Sequence, residues 1–248
     1  MGINWNDVYV WVIVALAIVS AASILSSGIV QSLPSVLIAV ATAIILDIVI
    51  RKIVKKTWKV PYSAAISGLI IGSIIAFEAP LYVPAAASAI AVGSKYILKY
   101  KFHHVVNPAA FGLLASMLLF SWGDTWWGTF PLLAPFLVII AWKIKRLYIS
   151  FAFLAVYLIL AYFTGNFNIQ KPGDLLNLPL YFAFIMAVEP KTTPLKAIEQ
   201  LVFGVSLAAI LALLSFVFPM PYAVFVSLLA ANVGYFAYKA GRQGFKIF

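Results

Sequence analysis

Ten apolar runs, near residues 8–27, 34–50, 61–77, 82–98, 108–121, 131–142, 148–164, 175–188, 198–217 and 222–239, follow one another with only short stretches of charge, proline or glycine between them. An α-helix needs about 20 such residues to cross a hydrocarbon core of about 30 Å. Within that core each backbone amide must find its partner inside the chain, which continuous apolar runs achieve by becoming helices. The pattern predicts an all-α polytopic membrane protein with about ten transmembrane helices in a single transmembrane domain, residues 1–248.

Composition agrees with that solvent. Hydrophobic residues make up 65% of the 248 and the mean hydropathy is +1.06, more apolar side chain than one water-facing core can hide. Charged residues are 10% of the chain, against about 25% in a soluble domain. The net charge of +10 rests on seventeen basic residues that form no continuous stripe, so nucleic acid is not an expected partner. The absence of cysteine excludes disulfides, thiolate metal sites and an iron–sulfur cluster held by this chain alone, and no metal site is expected. Met1 to Asp7 carries no basic segment of the kind that opens a cleavable signal, so the first run is expected to stay in the protein.

The charges order the runs. With the N-terminus inside, the inner loops hold Arg51, Lys52, Lys55, Lys56 and Lys59, then Lys95, Lys99 and Lys101, then Lys143, Lys145 and Arg146, then Lys191 and Lys196, and last Lys239, Arg242 and Lys246. Only Lys171 falls outside, and this alternation predicts both termini cytoplasmic in a cell-membrane protein. Glu78, Asp124 and Asp174 fall on the outer side beside Trp122, Trp126 and Trp127, which suit the headgroup region. The runs at 108–121 and 175–188 are short for a full crossing and are expected to be tilted, broken or re-entrant. Five spans in each of two approximate halves, 1–125 and 126–248, would run in opposite senses, as in inverted-repeat transporters.

Few side chains have chemistry to offer. Asp47 and Glu78 are the candidates for an ion path, because an acid at membrane depth is costly. For Asp47 the plainer reading is a pair with Arg51, four residues on along the same helix face. Gly68, Gly72, Ala85 to Ala89 and Gly93 form small-residue faces that let helices approach closely, or admit a flat ring. His103 and His104 are adjacent, so on a helix they diverge by about 100° and do not share a metal; a solvated cytoplasmic loop is their expected place. Asn107 before Pro108 reads as a helix start, and Glu189-Pro190-Lys191-Thr192-Thr193-Pro194 as the end of one helix followed by Thr193 capping the next. Such breaks need partners for their backbone, and free helix starts favour anions. No nucleophile elbow, phosphate-binding loop, zinc spacing or dinucleotide fingerprint is present, so catalysis by this chain alone is not expected.

Four segments in order, SGLIIGSIIA at 67–76, HHVVNPAAFG at 103–112, MAVEPKTTPLKA at 186–197 and LLAANVGYFAY at 228–238, resemble the NqrB/RnfD family of membrane subunits. The resemblance implies a urea-transporter-like helical fold and a place in a complex that couples electron transfer to Na⁺ or H⁺ movement. Its partners would be other membrane subunits and iron–sulfur or flavoprotein subunits. It also implies a flavin, FMN or riboflavin. In the family FMN is linked to a threonine of a Ser-Gly-Ala-Thr motif, whereas the corresponding stretch here, Ser121 to Thr129, lacks that motif and offers only Thr125 and Thr129. Non-covalent binding is therefore favoured over a covalent link. Asn107, Pro108, Glu189, Thr192, Thr193 and Asn232 are the remaining cofactor candidates, although Tyr235 to Tyr238 supply no acid after Asn232. The leading expectation is a membrane subunit of an Rnf/Nqr-type ion-translocating complex. Its rivals are a stand-alone channel or transporter for a small solute on the same fold, and a scaffold that docks acidic partners on loops such as Lys143, Lys145 and Arg146.

Overall fold

The structure is a computed structural model and describes residues 7–56, 60–100, 103–126, 134–164 and 179–242, apart from the side chains of Lys55 and His103. Nine α-helices occur among these residues: α1 (Val8–Ser27), α2 (Ile29–Ile50), α3 (Tyr62–Ile74), α4 (Tyr82–Ile97), α5 (Pro108–Phe120), α6 (Ala134–Lys143), α7 (Leu147–Phe163), α8 (Ala197–Leu214) and α9 (Met220–Arg242). The all-α class is as expected, with a two-residue pairing of Lys99–Tyr100 and His103–His104 and an isolated bridge between Ile75 and Asp124 beside the helices. Four helical segments are long and apolar enough to cross a membrane: Val8–Ser27, Ile29–Val54, Ala197–Leu214 and Met220–Arg242. Shorter apolar helices are Tyr62–Ile74, Pro108–Phe120, Ala134–Lys143 and Leu147–Phe163.

Two segments depart from the expected boundaries. The second run begins at Ile29 rather than 34, because Pro34 is accommodated within α2 and the only residue separating α1 from α2 is Gly28. Gly28 has φ +99°, a backbone angle open to glycine without steric cost. The run expected at 175–188 has, in its described part, a π-helical turn at Phe182–Met186 in place of a regular span. Pro190 limits Glu189 before it to extended conformations, so a helix arriving here has to end.

The chain forms two compact units. The first comprises residues 1–99 with 108–136. Its helices touch through glycine. A Cβ placed on Gly68 would lie 2.6 Å from the Cα of Val40, one on Gly72 2.6 Å from the Cα of Val36, and one on Gly112 2.3 Å from the carbonyl oxygen of Ala87. The SGLIIG segment is thus the face on which α3 meets α2, as its small residues predict. Ser20 and Ser73 share a hydrogen bond of 3.0 Å between α1 and α3. At the end of α3 the loop from Gly123 to Trp126 is bonded to the chain at Ile74 to Ala76, through Ala76 N–H to Gly123 and Thr125 N–H to Ile74.

The second unit comprises residues 100–107 with 137–248. Here Gly204 of α8 seats on α7, where a Cβ would lie 2.5 Å from the carbonyl oxygen of Ile149. Phe153 is fully buried and its ring lies 5.3 Å from that of Phe182 in the π-helical turn. The widened turn leaves Ala183 with a carbonyl that accepts from the Ser150 hydroxyl at 2.7 Å. In both units large apolar side chains point outward, among them Leu25, Val30, Ile53, Phe163 and Phe216, each more than two-thirds exposed. Water does not tolerate so much apolar surface, whereas lipid does.

Candidate functional site

Met186 to Lys196 has lost its regular helical bonds, so its carbonyls need donors from elsewhere. The second unit supplies them from three sequence-distant places, Asn107, Arg146 and Asn232, and from side chains close by. The side-chain amide of Asn107 donates to the Met186 carbonyl at 2.9 Å. Asn232, fully buried in α9, accepts the backbone N–H of Asn107 at 2.9 Å and donates to the Thr192 carbonyl at 3.4 Å. Thr193 donates its hydroxyl to the Glu189 carbonyl at 2.6 Å, and Thr192 donates to a Glu189 carboxylate oxygen at 3.3 Å. Arg146, just before α7, donates from Nε to the Thr193 hydroxyl at 3.2 Å and from Nη2 to the Pro190 carbonyl at 3.4 Å. Gln200 of α8 donates to the carbonyls of Lys145 and Leu195, both at 2.8 Å.

Charge is concentrated in the same place. The Nδ1 of His104 lies 3.5 Å from a carboxylate oxygen of Glu189, and His104 is 9% exposed. Arg146 is 6% exposed and its hydrogen bonds to this break go to neutral oxygens. Burial pulls its guanidinium below the usual arginine range, although arginine remains a cation at any ordinary pH. The result is a largely buried cluster of one cation, one carboxylate and one imidazole, in which Glu189 is the most open of the three. No group of three or more metal-ligating side chains occurs among the described residues.

The structure brings Asn107, Glu189, Thr192, Thr193 and Asn232 together, with Pro108 next to Asn107 as the first residue of α5. It corrects four expectations. Thr193 does not cap the next helix, because α8 starts at Ala197 with Lys196 before it and the Thr193 hydroxyl is turned back to Glu189. His104 is not in a solvated loop, and the signal for that was the apolar Val105 and Val106 that follow it. Arg146 is not a docking residue on a basic loop; it is folded inward, while Lys143 and Lys145 stay exposed. Lys95, also assigned to a loop, is buried in the last turn of α4 and donates to the Ser63 carbonyl at 2.7 Å.

Other candidates lie in the first unit. Asp47 is 2% exposed, 2.6 Å from Arg51, and accepts from the Tyr96 hydroxyl at 2.6 Å, so the expected ion pair is present and has a third member. Glu78 is exposed in the turn between α3 and α4. Thr125 has an exposed side chain, and its neighbour Asp124 accepts from the indole N–H of Trp126. Burial raises the Asp124 carboxyl above its ordinary value, with the Trp126 hydrogen bond opposing that shift. Thr129 lies outside the described residues.

The polar groups of Asn107, Asn232, Thr192 and Thr193 already bond to one another and to the backbone of the break, and a carboxylate beside Thr125 repels a phosphate. The cluster holds together an interrupted backbone, and the long apolar helices of the chain are those of an integral membrane protein. The family model described as the NQR2, RnfD, RnfE family matches residues 2–131, more than half of the 248. The chain belongs to that family, and is a membrane subunit of the Rnf/Nqr type. The match contains the SGLIIGSIIA and HHVVNPAAFG segments, while MAVEPKTTPLKA and LLAANVGYFAY lie beyond it. No curated protein matches the chain.

Proposed function

We propose that this chain is the ion-coupling membrane subunit of an Rnf/Nqr-type electron-transport complex, with Glu189 as its exchangeable acid. The observation that carries the reading is the largely buried cluster of His104, Glu189 and Arg146 at a break in the second unit of a family member. A largely buried carboxylate is costly and persists where it has a partner and a task. Glu189 has the imidazole of His104 on one oxygen and the Thr192 hydroxyl on the other, a setting in which a proton or a small cation is exchanged at the carboxylate while Arg146 holds the loop. The proposal includes about ten crossings in two inverted halves with both termini cytoplasmic, following the charge alternation. It includes redox partners that supply the electron-carrying groups. FMN or riboflavin enters it only as a non-covalent ligand outside the cluster, and no step is routed through a flavin.

Mild-detergent purification with identification of bound partners and a visible absorbance spectrum is the direct test. Redox subunits should co-purify, and Glu189→Gln should leave the complex assembled while lowering electron-driven Na⁺ or H⁺ uptake at least tenfold in reconstituted vesicles. Solute flux through the chain alone in liposomes, without redox partners, would overturn the reading in favour of a channel.

A further inference from the structure

We propose that the ion exchanged at Glu189 is a proton, and that the Nδ1 of His104 is its inner acceptor. The proposal rests on the reading of Glu189 as the exchangeable acid and names the ion that acid takes. His104 is buried, and its Nδ1 makes no hydrogen bond. A buried ring nitrogen left in that state is costly, and such an atom calls for a function or a partner. The charged group beside it is the Glu189 carboxylate, whose Oε1 stands 3.5 Å away.

The groups around the pair separate a proton from a metal cation. A hard cation takes about six oxygen ligands. The carbonyls of this break are instead engaged by protein donors: Met186 by the Asn107 amide, Pro190 by Arg146, Thr192 by Asn232 and Glu189 by the Thr193 hydroxyl. One Glu189 carboxylate oxygen already accepts from Thr192, and the other faces a nitrogen. Donors therefore crowd the break, and the Arg146 guanidinium adds a fixed positive charge that opposes a second cation. A proton needs no coordination shell. With the carboxyl protonated at Oε1, transfer breaks that O–H bond and forms N–H at Nδ1 of the neutral imidazole, leaving a carboxylate beside an imidazolium and the pair's net charge unchanged. The two atoms have to close from 3.5 Å to about 2.8 Å, which a small movement of the more open Glu189 side chain achieves. Glu189 is 20% exposed against 9% for His104, so the proton enters and leaves through the carboxyl. The other titratable groups near the pair among the described residues are Arg146, Lys191 in the break, Tyr235 of α9 acting on Arg146, Glu199 of α8 acting on Tyr235, and Tyr100 on the strand paired with His104. Arginine, lysine and tyrosine side chains hold their protons at neutral pH, and Glu199 is turned to Arg242 at 3.9 Å. Imidazole and carboxyl are left to exchange one.

The test uses the complete complex in proteoliposomes, with electron-driven H⁺ uptake read by a pH dye and Na⁺ uptake read by radioactive sodium. H⁺ uptake by the parent should be unchanged when all Na⁺ is replaced by K⁺. Glu189→Gln and His104→Asn, which keep polar side chains but hold no exchangeable proton, should each lower it at least tenfold with the redox subunits still bound. Glu189→Asp, which restores a carboxyl, should recover part of it. Sodium uptake by the parent that Glu189→Gln abolishes would overturn the proposal while leaving Glu189 as the exchangeable acid. H⁺ uptake that His104→Asn leaves intact would overturn His104 as the acceptor. Uptake of both ions unaffected by Glu189→Gln would instead sink the underlying reading, and the proposal with it. The exchange of Na⁺ for K⁺ needs no variant, so loss of H⁺ uptake without Na⁺ overturns the proposal even where a substituted chain does not assemble.

Discussion

Replacing Asn232 by leucine keeps the shape of the side chain but removes both of its hydrogen-bonding groups. The Oδ1 of Asn232 is the acceptor for the Asn107 backbone N–H at 2.9 Å, and Pro108 starts α5 at the next residue. With Asn232 fully buried and Asn107 2% exposed, water has no ready access to replace the lost acceptor. Leaving a buried N–H unpaired costs about 1–3 kcal/mol. The second bond, to the Thr192 carbonyl, is 3.4 Å long, so its loss adds little. In a protein of this size each kcal/mol lowers Tm by about 2–4 °C, which puts the expected fall at about 2–12 °C. Thermal unfolding of the purified protein in detergent, followed by far-UV circular dichroism, reads this directly. Gly234→Ala on the same helix, with open space around the new methyl, is the matched control and should not fall. An Asn232→Leu protein that melts within about 1 °C of the parent would mean that water or another group takes over the N–H. The picture of a sealed cluster would then be wrong.

Gly204→Ala should melt below Gly234→Ala by the overpacking cost alone, about 1–3 kcal/mol, because both gain the same helix propensity but only Gly204 faces the α7 backbone. Arg146→Met should destabilise by about 1–3 kcal/mol through the acceptors it abandons at Thr193 and Pro190, whereas Lys143→Met, on an exposed side chain, should stay within about 0.5 kcal/mol; equal losses in denaturant titrations would refute the inward placement of Arg146. Burial raises the Asp124 carboxyl, so the folded state binds more protons than the unfolded one and this group's contribution to stability falls as pH rises through its titration range. Asp124→Asn should therefore melt higher than the parent at pH 7, and the gap should close as pH drops below the ordinary aspartate value of about 3.9. A gap that grows on acidification would contradict the direction of the shift.

Solvent and secondary structure were legible in the sequence because both are local. The run from 8 to 27 is α1 to the residue, and the spacing of Asp47 and Arg51 announced their pair. The glycines of SGLIIG likewise declared a close helix contact, since only a missing side chain lets backbones meet. Asn107, Thr192 and Asn232 could each be singled out as polar residues in apolar surroundings, yet nothing in their spacing said that they share one hydrogen-bonded cluster. That meeting spans 125 residues and is made by the packing of α9 against the broken segment.

For charges the division was sharper. A count of lysine and arginine per loop assigns Lys95 and Arg146 to water, because it treats every basic residue near a helix end alike. Tertiary structure separated them: the Ser63 carbonyl near the start of α3 and the Pro190 carbonyl at the break took these two side chains as donors inside the fold, while Lys143 and Lys145 are exposed. Local sequence thus determined that this chain lives in a bilayer as helices. Which of its polar groups are solvated and which hold its interior together was decided by where unsatisfied backbone came to lie, a property of the folded chain alone.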